Sequence, residues 1–133
     1  MIIIPPRGQA GIAGKAGSKF TGLAFPYLTM QATDGVVINT VSFTPCARTY
    51  WHRHEKGQIL IVLAGRGRIQ AAGEPVRVIR VGDTVWTPAG ESHWHGGSSD
   101  SFMTHIAISL GTTEWADKVT EDEFNARPSN EEE

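Results

Sequence analysis

Turn-forming pairs punctuate this chain about every eight to twelve residues, and the stretches between them alternate apolar and polar side chains with a period of two. That rhythm admits short strands and almost nothing else. Fifteen glycines and seven prolines supply the punctuation among 133 residues, above the usual share of roughly 12% for the two together. Residues 36–44 follow the turn pair Asp34-Gly35 and set Val37, Val41 and Phe43 on one face. Residues 59–64 are wholly apolar; Gly65-Arg66-Gly67 is expected to break the strand there, with residues 68–72 resuming as another before Gly73. Residues 76–81 run into Gly82-Asp83, and residues 84–87 stop at Pro88. Residues 102–110 alternate cleanly, with Phe102, Thr104, Ile106 and Ile108 on one face and Met103, His105, Ala107 and Ser109 on the other. The pattern predicts an all-β antiparallel barrel or sandwich.

Only the C-terminal end reads as helical. Thr120 with Glu123 three residues later forms a capping-box pattern, and Trp115, Val119 and Phe124 make a short apolar stripe before Arg127-Pro128. Length allows one domain with one core. The expected organisation is an N-terminal arm over residues 1–19, with glycines at 8, 11, 14 and 17, then a folded domain over residues 20–127 and an acidic tail over residues 128–133. Trp51, Trp86 and Trp94 are expected in the core and pocket wall.

Charge removes several classes of partner. Twelve basic residues face fourteen acidic ones, and three of the acids are Glu131, Glu132 and Glu133, so the body is nearly neutral. Neither nucleic acid nor an anionic membrane is favoured. The apolar run Met1 to Pro6 is too short for a signal core or a span, and the lone Cys46 makes no internal disulfide. A soluble, reducing, cytoplasmic setting is expected, with Cys46 an inert packing residue. Gly14-Lys15 lacks the rest of a phosphate loop, and Gly65-x-Gly67 has Gln70 where a dinucleotide fingerprint needs glycine. Residues 90–94 depart from a nucleophile elbow at Trp94.

The chemistry lies in the histidines. His52 with His54, and His93 with His95, are His-x-His pairs, and His105 stands alone on its strand. On an extended chain, side chains two apart share a face, so each pair aims two imidazoles at one point. Gln58 keeps the parity of His52 and His54, and its amide oxygen reaches the same point if residues 55–57 turn. Three imidazoles and a carboxamide form a partial shell for a divalent transition metal, with positions left for water or substrate.

His52-Arg53-His54, Gln58 and Gly65, followed by Gly82, Pro88, Gly90 and His93, resemble the two motifs of the cupins. The resemblance implies a single-domain cupin: a small antiparallel β-barrel of the double-stranded β-helix or jelly-roll type, with a short C-terminal helical segment. Two positions depart from the general pattern: Gln58 stands where an acidic residue is usual, and Gly97 where an asparagine is. A neutral amide leaves the full charge on a bound dication and strengthens it as a Lewis acid.

Residues 20–22, 41–63, 82–96, 103–105 and 115–124 are more closely similar to the bacterial small-cupin hydroxynitrile lyases, manganese enzymes that cleave or form cyanohydrins. That resemblance implies one divalent metal per chain on His52, His54, Gln58 and His93. Manganese comes first, and iron, nickel, cobalt and zinc also suit the donors. It further implies His95 as the catalytic imidazole, with His105 lining the same cavity. A small molecule is the expected substrate, and a homo-oligomer, dimer or tetramer, is the expected assembly. Two other functions share this motif set: a cupin dioxygenase activating O₂ at the same metal, and a metabolite-binding cupin without chemistry. The two extra histidines weigh against the second.

Overall fold

The computed structural model describes residues 1–6 and 18–130, so most of the glycine-spaced arm and the three terminal glutamates lie outside the described residues. Within them the chain forms β1 (Phe20–Thr21), β2 (Ala24–Thr33), β3 (Val36–Phe43), β4 (Arg48–Thr49), β5 (His52–His54) and β6 (Gln58–Ala71). There follow β7 (Arg77–Arg80), β8 (Thr84–Thr87), β9 (His93–Gly97), β10 (Met103–Leu110), β11 (Thr113–Trp115) and the helix α1 (Glu121–Asn125). Every pairing is antiparallel. One sheet runs β2, β3, β10, β6, β8. The other runs β1, β4, β9, β6, β7, with β5 on β9 and β11 on the far side of β5. The result is a nearly closed antiparallel barrel, as expected.

The glycines expected to end a strand instead bend one. β6 is continuous over 14 residues and belongs to both sheets, its first part pairing with β10 and β8 and its second with β9 and β7. Gly65 sits at the corner with φ +74°, and a Cβ there would lie 2.0 Å from the Phe102 carbonyl oxygen. A Cβ on Gly67 would lie 2.3 Å from both Gly96 O and Met103 Sδ. Only glycine lets the strand turn this tightly against its neighbours. β2, absent from the sequence-based expectation, carries Pro26 and among the described residues pairs with β3 alone. A proline is tolerated on such an edge because the missing N–H has no ladder partner to lose.

Two apolar clusters hold the barrel. Phe43, Leu60, Val62 and Met103 are buried between the sheets. A second cluster of Val76, Trp94, Val119 and Phe124, with Trp51 packed against it, fastens α1 to the outside of the second sheet. Strand parity explains the division: Trp94 lies between His93 and His95, so it faces outward while the two imidazoles face in. The Phe124 ring lies between the guanidinium groups of Arg48 and Arg68, whose central carbons are 4.7 and 5.2 Å from its centroid. The capping box forms as predicted: Glu123 N donates to Thr120 Oγ1 at 3.1 Å, and Thr120 N donates to Glu123 Oε1 at 2.8 Å.

Three aromatic and tail placements differ from the sequence reading. Trp115 is not on the helical stripe; it closes β11 and turns toward the barrel interior. Trp86 is 55% exposed, at the rim of an outer cavity, because β8 is short and its alternate residues face out. Beyond the helix, Ser129 N donates to Val76 O. The Asn130 amide both accepts from Val78 N at 2.7 Å and donates to Val78 O at 3.0 Å. Cys46 is exposed at a left-handed turn with φ 70°, its thiol directed at Ser99 O.

Candidate metal centre

Four registers bring the sequence-predicted residues together. On β5, His52 lies opposite His93 of β9 and opposite Trp115 of β11, while His54 lies opposite Thr113. On β6, Gln58 lies opposite Ser109 of β10. His95 on β9 and His105 on β10 meet across the barrel, their ring nitrogens Nδ1 and Nε2 hydrogen-bonded at 2.9 Å. All five rings and the Gln58 amide are buried. The His52 ring centroid lies 4.3 Å from that of His93, 5.0 Å from His54 and 5.2 Å from His95. His54 and His95 are each 5.5 Å from His93.

Each ring in the expected ligand set is turned by a bond on its far nitrogen. His52 Nδ1 donates to Tyr50 O at 2.8 Å, and His93 Nδ1 to Glu91 O at 3.1 Å. A carbonyl oxygen only accepts, so the proton sits on Nδ1 and the lone pair on Nε2. His54 Nδ1 lies 3.0 Å from Thr113 Oγ1. Gln58 Nε2 donates to Ser109 Oγ at 3.0 Å, which aims Gln58 Oε1 at His93 Nε2, also 3.0 Å away. Two acceptors then face each other, an arrangement that a cation stabilises.

The donor set also passes a second test of fit. His54 Nε2 and His95 Nε2 are buried without a hydrogen-bond partner. Unpaired buried nitrogens are costly unless something bonds them. One ring nitrogen from each of His52, His93 and His95 lies within 4.8 Å of the others, so His95 stands at the edge of the expected ligand set, close enough to a shared ion to act beside it. Burial is the first cause holding all five imidazoles below the ordinary histidine range. Repulsion from neighbouring rings adds to it at His52, His54 and His95. His54 and His105 are lowered to about 4. Neutral imidazoles are the form that binds metal.

A cavity of about 250 Å³ opens onto this cluster, walled by Phe20, Val41, Phe43, Ala107 and Trp115 and floored by His52, His54, Gln58, His95 and His105. A larger cavity, about 360 Å³, lies between Ile79, Val85 and Trp86 and reaches only His93 of the cluster. The smaller touches five of the six groups. Sequence reasoning missed Ser109, Thr113 and Trp115. Ser109 shares the inward face of β10 with His105 and was within reach of that parity; Thr113 and Trp115 meet β5 only through a pairing across about sixty residues of chain.

A model of the cupin domain matches residues 39–108. The chain is 40% identical over 111 residues to an (R)-mandelonitrile lyase of Granulicella tundricola, covering 79% of this chain and 85% of that protein. It is similar to the crystal structure of a cupin-like protein from Thermotoga maritima, with a TM-score of 0.83 and 36% identity over 92% of this chain and 99% of that one. A DMSP lyase from Ruegeria pomeroyi shares the fold alone, at a TM-score of 0.61 and 20% identity over 74% of this chain and 52% of that one.

Proposed function

The chain belongs to the cupin domain family, and from that premise we propose that it is a metal-dependent lyase that cleaves or forms a cyanohydrin. The carrying observation is the buried imidazole and carboxamide cluster at the floor of an aromatic-walled cavity. The 40% identity to a mandelonitrile lyase supports the substrate class. His52, His54, Gln58 and His93 would hold a divalent ion, manganese by preference, which when bound supplies Lewis-acid stabilisation of negative charge on the substrate oxygen.

The protein's own groups do the rest. In the tautomer in which His95 donates from Nδ1 to His105 Nε2, the His95 Nε2 lone pair faces the cavity. It accepts the cyanohydrin hydroxyl proton as the C–CN bond breaks; the C=O double bond forms and the bonding pair leaves with cyanide. The imidazolium then returns its proton to cyanide, releasing aldehyde and hydrogen cyanide. His105 Nε2, the hydrogen-bond partner of His95 Nδ1, fixes the orientation of the ring. Phe20, Phe43 and Trp115 seat the apolar substituent and exclude water. The proposal includes a homo-oligomer, since β2 is an open edge with β3 its one partner among the described residues.

The test is elemental analysis of the purified protein followed by mandelonitrile cleavage with each metal restored. H95A is expected to keep its metal and lose turnover by 10²-fold or more. Undiminished cleavage by H95A removes the acid–base role, and cleavage unaffected by chelation removes the metal.

A further inference from the structure

We infer that strand β11 is a positioning element of this centre, and that Thr113 is the side chain that fixes the His54 ring for ligation. The inference rests on the metal reading above and extends it beyond residues 39–108, where the match to the cupin domain ends. Two of the three imidazoles in the expected ligand set are oriented by main-chain carbonyls two residues before them in the chain, Tyr50 O and Glu91 O. Those bonds are local, and no side-chain substitution deletes them. His54 is different. Its Nδ1 meets a hydroxyl 59 residues further along the chain, delivered by the register that sets Thr113 opposite His54.

The need for that hydroxyl follows from valence. His54 is 4% exposed, and its Nε2 is buried without a partner. An ion on Nε2 leaves the proton on Nδ1, and a buried N–H requires an acceptor. Thr113 Oγ1 lies 3.0 Å away and fills that role. The partner of a ligating imidazole sets its orientation and basicity, and losing such a partner typically costs 10- to 100-fold in metal affinity. β11 also serves the other ring of the pair. Trp115 shares the face of Thr113, and its indole packs on His52 with centroids 4.7 Å apart and planes inclined by 34°. Glu114, on the opposite face, pairs with Arg53 outside the barrel. One three-residue strand thus matches the parity of His52-Arg53-His54 position for position.

The experiment is isothermal titration of Mn(II) into metal-stripped wild type, Thr113→Val and Thr113→Ser. Thr113 is exposed on an edge strand, and valine keeps its shape and β preference, so the stripped T113V is expected to fold and to melt no more than about 5 °C below wild type, the effect of one lost hydrogen bond. T113V is expected to bind Mn(II) about 10-fold more weakly or worse, and T113S, which restores the hydroxyl, to within about threefold of wild type. T113V binding as tightly as wild type overturns the inference, as does T113S binding as weakly as T113V. A wild type that binds neither Mn(II), Fe(II) nor Zn(II) removes the metal reading and this inference together. A wild type that binds Mn(II) without cleaving mandelonitrile removes the lyase reading and leaves the role of Thr113 to stand on the titrations.

Discussion

Phe124 locks the C-terminal segment to the barrel, and its replacement separates two sources of stability. The side chain is 1% exposed and sits between two guanidinium groups, one of which, that of Arg48, is almost fully desolvated. Truncation to alanine removes a buried aromatic, a loss of about 4 kcal/mol with its cavity term. Leucine keeps most of the apolar contact and removes the ring face. Both arginines remain anchored, Arg48 to Val119 O and Arg68 to Phe124 O, so the change isolates the two cation–π contacts. Those contribute about 0.5–1 kcal/mol each, more where desolvated, so F124L is expected to lose about 2 kcal/mol. Unfolding entropy near 60 °C for a chain of this length corresponds to roughly 0.3 kcal/mol per degree. F124L should therefore melt about 7 °C lower and F124A about 14 °C lower than wild type. Calorimetry on metal-stripped protein checks this without the added stability that a bound ion confers on the native state. Should F124L melt with wild type, the guanidinium sandwich contributes packing and no electrostatic attraction.

Other expectations concern the corner and the pH response. G65A forces a Cβ to 2.0 Å from the Phe102 carbonyl at a left-handed φ, so it is expected to cost more than about 3 kcal/mol or to prevent folding; a soluble G65A with unchanged melting would refute the corner argument. The buried imidazoles have folded-state pKa values below the unfolded value of about 6.5, so in acid the unfolded chain binds more protons than the native one. The stabilisation they contribute is full above about pH 6.5 and is lost as pH falls toward about 4, the value for His54 and His105. Metal-stripped protein should show a falling melting temperature across that window, and a flat profile would contradict neutral burial of the rings.

The barrel and its centre were legible to different depths. A period of two told which residues share a face, and that alone placed His52 with His54, His93 with His95, and His105 with Ser109. Parity is a local property and survives without knowing any partner strand. Registers are not local. Whether Gly65 stops a strand or bends it depends on how close Phe102 passes, and nothing near Gly65 in the sequence carries that distance. The same blindness moved Trp115 from a helical stripe to the cavity wall, because its neighbours on β5 decide its place. Residues 24–33 carry no strand in the sequence reading, and that Pro26 can sit in one follows only from the finished sheet, where β2 lies at the margin.

The Asn130 carboxamide reproduces a peptide group against Val78, offering one oxygen and one N–H2 as a neighbouring strand would. It therefore acts as a terminator for the second sheet at β7, the strand whose one partner among the described residues is β6. A polypeptide cut back to Pro128 would uncover that ladder, and growth by addition of further molecules along it is the hazard such a truncation brings.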